Sequence, residues 1–210
     1  MDSAIEQGLT KALDTMEDAY EEVKAGSEAS VTEWRWATGK YFSLLPYEPD
    51  RFGTARGRLL SKPPVPPKNV YAFGFDAQGV LRVLRGHGKD GKPDVEQFTQ
   101  VHNDGRLLVR GYLNRGRIAG QAVYIERDGK GRPLKSATLG MEGDWREETY
   151  AWQGDRVERI ETTRFDALTE RTSRRRVDIT HAADGSASGV AIGADGEREQ
   201  VFEGAPDTSV

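Results

Sequence analysis

Val101-His102-Asn103-Asp104-Gly105-Arg106-Leu107-Leu108-Val109 reads as the end of one strand, a reversal and the start of a returning strand. Asn, Asp and Gly tolerate the positive φ that tight hairpin turns demand, and the flanking Val and Leu suit a half-buried pleated surface. The same punctuation recurs at Asp76-Ala77-Gln78-Gly79, Asn114-Arg115-Gly116, Asp128-Gly129, Gly143-Asp144, Gly154-Asp155, Asp184-Gly185 and Asp195-Gly196. Between these turns lie short stretches rich in Val, Ile, Thr, Tyr and Trp. Such spacing predicts an antiparallel β-meander. The expected strands are 69–75, 80–85, 95–102, 106–112, 117–127, 134–141, 145–152, 156–165, 169–180, 187–193 and 198–203.

Upstream, the period changes. Ile5, Leu9, Ala12, Leu13, Met16, Ala19, Tyr20 and Val23 recur at steps of three and four, which predicts one amphipathic helix over residues 3–25. Ser3 and Glu6 match a capping box, and Gly26 is a natural stop. The opposite face holds Asp14, Glu17, Asp18, Glu21 and Glu22, an acidic end that works against the helix dipole. Residues 30–37 alternate with period two, which predicts a strand carrying Trp34 and Trp36 into the core against the helix. Residues 38–62 hold no clear pattern, and Pro63-Pro64-Val65-Pro66-Pro67 forms a stiff, extended spacer.

The expected fold is therefore mainly β: an N-terminal helix, then a long antiparallel meander shaped as an open twisted sheet or half-barrel. Residues 1–62 contribute the helix and first strand, 63–67 the spacer, 68–203 the meander and 204–210 a frayed tail. Only 36% of the 210 residues are hydrophobic and 30% are charged, so much of the sheet must be wet. In 169–180 in particular, Arg171, Ser173 and Arg175 alternate with Thr172, Arg174 and Arg176, leaving little to bury. Cross-strand pairs must help there, each contributing roughly 0.2–1 kcal/mol.

Composition excludes several classes. With no cysteine there is no disulfide framework, thiolate zinc site or cysteine nucleophile. A net charge of −4 argues against nucleic acid as the partner. The acidic N-terminus is no signal peptide, and no apolar run approaches a membrane span, so a cytoplasmic, bacterial-style protein is expected.

Three segments carry a family resemblance: Phe73-Gly74-Phe75-Asp76-Ala77-Gln78-Gly79-Val80-Leu81, Val101 to Leu107, and Tyr124-Ile125-Glu126-Arg127-Asp128-Gly129-Lys130-Gly131-Arg132-Pro133-Leu134. Each resembles a YD (RHS-type) repeat, in which an aromatic and a following Asp precede a Gly-Arg-Leu return. Glu148 to Val157 looks like a variant with the turn order changed, and the likeness covers roughly residues 69–165. True YD repeats form large shells around polymorphic toxins. The resemblance implies a small relative of such systems, an immunity protein that binds a cognate toxin domain.

Catalytic signals are sparse. His87, His102 and His181 are expected on loops, without metal-ligand spacing, and neither a phosphate-binding loop nor a nucleophile elbow occurs. No cofactor or metal is expected. Glu147 and Glu148 are strand neighbours and point to opposite faces, which makes them poor acid–base partners. Arg174-Arg175-Arg176 suits a solvated strand better than a phosphate site. The sharper expectation is non-catalytic protein binding, through the acidic helix face (Asp14, Glu17, Asp18, Glu21, Glu22) and the aromatic hairpin (Trp145, Tyr150, Trp152). Two other readings remain: a β-cavity for a small ligand or a hydrolytic reaction, lined by Tyr71, Phe73, Tyr112 and Tyr124, and a nucleic-acid-binding arginine strand.

Overall fold

Aspartate side chains close the hairpins. Asp104 accepts the Arg106 backbone N–H at 3.1 Å while Gly105 takes φ 81°, a conformation open to glycine at no steric cost. Asp76, Asp128, Asp184 and Asp195 make the same contact two residues ahead, at 2.9–3.1 Å. The computed structural model describes residues 1–114 and 118–206. The expected turn at Arg115-Gly116 and the tail from 207 lie outside the described residues.

The eleven expected strands are present: β3 (Val70–Phe75), β4 (Leu81–His87), β5 (Pro93–Val101), β6 (Leu107–Leu113), β7 (Ile118–Arg127), β8 (Pro133–Gly140), β9 (Trp145–Gln153), β10 (Arg156–Asp166), β11 (Arg171–His181), β12 (Ser186–Gly193) and β13 (Arg198–Pro206). They follow one another as an unbroken meander. β1 (Glu33–Ala37) pairs beside β3, and β2 (Leu59–Leu60) forms the outermost strand beyond it. The result is one open, antiparallel sheet of thirteen strands. Because β1 bonds to both β2 and β3, the Pro63–Pro67 spacer is a loop within this sheet. The chain stays paired to Pro206, so the expected fraying at Gly204 does not occur there.

The single expected helix is two. α1 (Ser3–Asp14) and α2 (Tyr20–Ala29) are separated by a turn, and Asp2 rather than Ser3 caps α1, accepting from the Ala4 N–H at 2.9 Å. Thr15 bonds back to the Lys11 carbonyl at 3.0 Å at the break. The break eases the dipole conflict, since Glu21 and Glu22 now occupy the first turn of α2, where negative charge is favoured, although Asp14 still ends α1. Gly26 lies inside α2 and does not stop it. α1 lies on β7 and β8, and α2 on β4 and β5. Tyr20 donates to the buried Glu96 at 2.5 Å, and Arg85 links that carboxylate (2.7 Å) to Glu28. Trp34 is 40% exposed and Trp36 half-buried, so neither is the core residue expected: both sit where the helix layer thins, Trp34 beside Arg85 and Trp36 beside His87.

Residues 38–58, which had no readable pattern, form a strap across the other, concave face. Phe42 packs edge-on against Phe73 and Phe75. Leu45 and Tyr47 join a core with Val109, Val123, Ile160 and Val177. A short helix, α3 (Glu48–Arg51), reaches β13, so the sheet curls around the strap without closing. At that contact Tyr47 stacks on Phe202, with ring centroids 5.1 Å apart. Phe202 lies across Gly189, where an added Cβ would stand 2.2 Å from the ring. Gly189→Ala should therefore displace Phe202 and cost about 1–3 kcal/mol by overpacking; equal denaturation midpoints for variant and parent would contradict this placement.

Candidate functional site

Alternation along β9 sends its residues to two environments. Arg146, Glu148, Tyr150 and Trp152 face the strap, whereas Trp145 and Glu147 face the helix layer. Glu147 pairs with Lys135 at 3.4 Å, and Glu148 is fully buried against Arg51. The two carboxylates are thus separated as expected.

On the strap side, Arg51 donates two hydrogen bonds to Glu148, at 2.6 and 3.2 Å. Glu148 also accepts from the Tyr150 hydroxyl at 2.6 Å and from Thr162 at 3.2 Å. Alongside, Glu48 pairs with Lys40 (3.2 Å) and Arg146 (3.4 Å) and accepts from Ser43 (2.7 Å). Burial alone pushes the Glu48 carboxyl up, but Lys40, Arg146 and Ser43 outweigh it and bring it down to about 2. Glu148 is likewise held below its ordinary range: burial opposes, and Arg51 and Arg146 prevail. The Tyr150 hydroxyl is pushed well up by burial and by the Glu148 charge, so it stays a donor. Every charge here has a partner, and the cluster fastens the strap to the sheet. Tyr150 is only 6% exposed, so it does not reach a partner surface as expected. Trp152 is half-buried, its indole N–H donating to the Pro133 carbonyl at 2.7 Å under Arg132.

On the helix side lies an open groove of about 600 Å³ between α1 and the β8–β9 hairpin. One wall carries Glu6, Asp14, Glu17 and Asp18, the first two on α1 and the others in the turn after it. All four are exposed, and none forms an ion pair among the described residues. The apolar lining comes from Leu13, Ala119 and Leu139, and the far wall from Met141 and Trp145. Met141 is 53% exposed at the hairpin tip. That wall is fixed in place: Asp144 accepts the Ala167 N–H at 2.7 Å, and Trp145 stacks on Phe165 with centroids 6.1 Å apart. The structure therefore brings Asp14, Glu17, Asp18 and Trp145 around one groove. Glu21 and Glu22 stay exposed on α2, outside its lining.

Met141, Leu139 and Phe165 were missed as contributors. Met141 is an apolar residue at a turn tip, which was the available signal; Leu139 and Phe165 read as ordinary strand positions. The four cavity aromatics do not share a face: Tyr71 and Phe73 pack toward the strap, Tyr112 and Tyr124 toward the helices. The histidines lie apart. His87 donates to the Gly91 carbonyl, His181 donates to that of Val157 at 2.8 Å, and His102 is exposed. No helix among the described residues is long and apolar enough to cross a membrane.

Acidification should loosen the strap first. Glu48 and Glu148 both have depressed folded values, so their stabilisation is present above their ordinary value of 4.5 and is lost as pH falls below it, for Glu48 toward about 2. Arg51→Met, which leaves buried Glu148 with only the more distant Arg146, should cost about 3–5 kcal/mol, with much of it recovered in the Arg51→Met/Glu148→Leu pair. Urea titrations at pH 7 and pH 3 check both, and an acid-independent midpoint in the parent would contradict the charge assignment. Compared with known protein families and with curated proteins, the chain matches none.

Proposed function

We propose that this chain is a non-catalytic protein-binding module whose docking surface is the acidic groove beside α1. The observation that carries the reading is the convergence on one concavity of the Trp145–Met141 wall and four exposed carboxylates that form no ion pair among the described residues. Aromatic and Met side chains are suited to anchoring an interface, and the carboxylate rim favours a basic partner by speeding association and rejecting acidic competitors. The partner chemistry is accordingly a protein element with Lys or Arg flanking an apolar anchor.

The more specific form of the proposal is an immunity protein in the cytoplasm, occluding the basic active cleft of a toxin domain. The YD-like turns of the meander support that form by resemblance, and the acidic helix layer supports it by charge.

The test begins with affinity capture from the native host to name the partner. Asp14→Lys/Glu17→Lys should then weaken binding by at least tenfold, about 1.4 kcal/mol, and steepen no other defect. Trp145→Ala should weaken it further through the off-rate. An affinity unchanged by both variants would remove the groove from the interface.

A further inference from the structure

The groove beside α1 lies at the edge of a helix layer. α1 rests on β7 and β8, with Leu9 and Ala12 packed on Ala122 and Ala137, so β9 is the first strand beyond it on that face. Cross-strand pairing carries the same row outward: Ala122 stands opposite Leu139, Leu139 opposite Trp145, and Trp145 opposite Phe165. An apolar stripe thus starts under α1 and emerges from it, with Trp145 and Phe165 half-buried. Packed helices lie about 8–10 Å apart and strands about 4.8 Å, so the next helix position falls two strands on from α1. That position is over β9 and β10, where the Trp145–Phe165 stack stands.

Backbone chemistry restricts the conformation of an occupant. β7, β8 and β9 are each hydrogen-bonded on both edges. At the hairpin tip the N–H groups of Gly140, Met141 and Gly143 donate to the carbonyls of Asp144, Gly120 and Gly140. No strand edge therefore borders the groove. An extended segment laid on Leu13, Leu139 and Trp145 would leave its own N–H and C=O groups without partners there, whereas a helix satisfies them internally. Charge restricts the occupant further. The lining holds Glu6, Asp14, Glu17 and Asp18 and neither lysine nor arginine. Glu6 and Asp14 are eight residues apart on α1, about 12 Å along its axis, which matches basic residues two turns apart on a neighbouring helix.

We infer that the groove takes a basic amphipathic α-helix of another protein, seated beside α1 as the third helix of the outer layer. Its apolar face covers Leu139, Met141, Trp145 and Phe165, and its Lys or Arg residues face the α1 carboxylates. This is helix-in-groove recognition, in which anchors at i, i+3 or i+4, and i+7 carry the contact. Such an occupant presupposes the docking groove proposed above and adds the conformation of the docked element.

The probe is a synthetic peptide of about four turns with Leu on one face and Lys on the other, beside a version interrupted by two central prolines. Fluorescence anisotropy with the full chain compares them. The helical peptide should bind at least tenfold more tightly than the proline version and should acquire helical Cα chemical shifts when bound. Asp14→Lys/Glu17→Lys should weaken it at least tenfold, and Phe165→Ala, which lies outside the groove lining, should weaken it as well. Equal affinities for the two peptides, both reduced by Asp14→Lys/Glu17→Lys, would overturn the helical occupant while leaving the groove as the docking surface. A helical peptide whose affinity neither variant changes would remove the groove itself. A bound peptide without helical shifts, or no binding at about 100 μM, would also overturn the inference.

Discussion

One buried carboxylate on each face of the sheet determines how this chain is covered. A sheet of thirteen strands needs cover on both sides, and a chain only 36% hydrophobic cannot supply it by apolar packing alone. Glu148 on β9 receives Arg51 of the strap together with Tyr150, and Glu96 on β5 receives Tyr20 of α2 together with Arg85. Each site joins a phenol and a hydrogen-bonded guanidinium to a carboxylate that the sheet itself presents, with Arg146 as a second, more distant cation at Glu148. Such contacts add little net stability over apolar packing, but they penalise any misplaced register strongly. A slip of one residue would turn Glu148 outward and bring Glu147 inward.

The covers differ in extent, and that difference shapes the surface. The strap spans the concave face from Phe73 on β3 to Phe202 on β13, whereas the helices stop at β8. The acidic groove lies along the boundary, where the last helix leaves room beside the β8–β9 hairpin. Concavity, exposed apolar side chains and uncompensated charge thus arise from one cause, a layer that ends before the sheet does.

Much of the architecture was legible because turn chemistry is local. Asp-Gly and Gly-Asp positions state where the chain reverses, and eleven strands followed from them within a few residues. The break after Asp14 was less legible, since the apolar stripe continues through it: Met16 and Val23 are both buried. Acidic residues at Asp14, Glu17 and Asp18 were the sign that one dipole could not serve the whole stretch. The strap was unreadable for a different reason. Its key residues, Tyr47 and Arg51, have no periodicity and gain meaning only from Phe202 and Glu148, which are distant in sequence. Of the groove, the charged wall and Trp145 could be read, but their meeting depended on which strands α1 covers. Tyr150 looked like its neighbour Trp152 in sequence, and only the identity of the strap explains its burial.

The strap also sets an order on biogenesis. A meander of successive hairpins can grow as it leaves the ribosome, each strand pairing with the one before, because its contacts are local. Residues 38–58 emerge early, yet Glu148 and Phe202 are made far later. During that interval Phe42 can already pack on Phe73 and Phe75, but Tyr47 lacks Phe202 and Arg51 lacks Glu148. Seating of the strap is therefore divided in time: its Phe42 end has its partners once β3 and β4 are made, whereas its Tyr47–Arg51 end is complete only after β9 and β13.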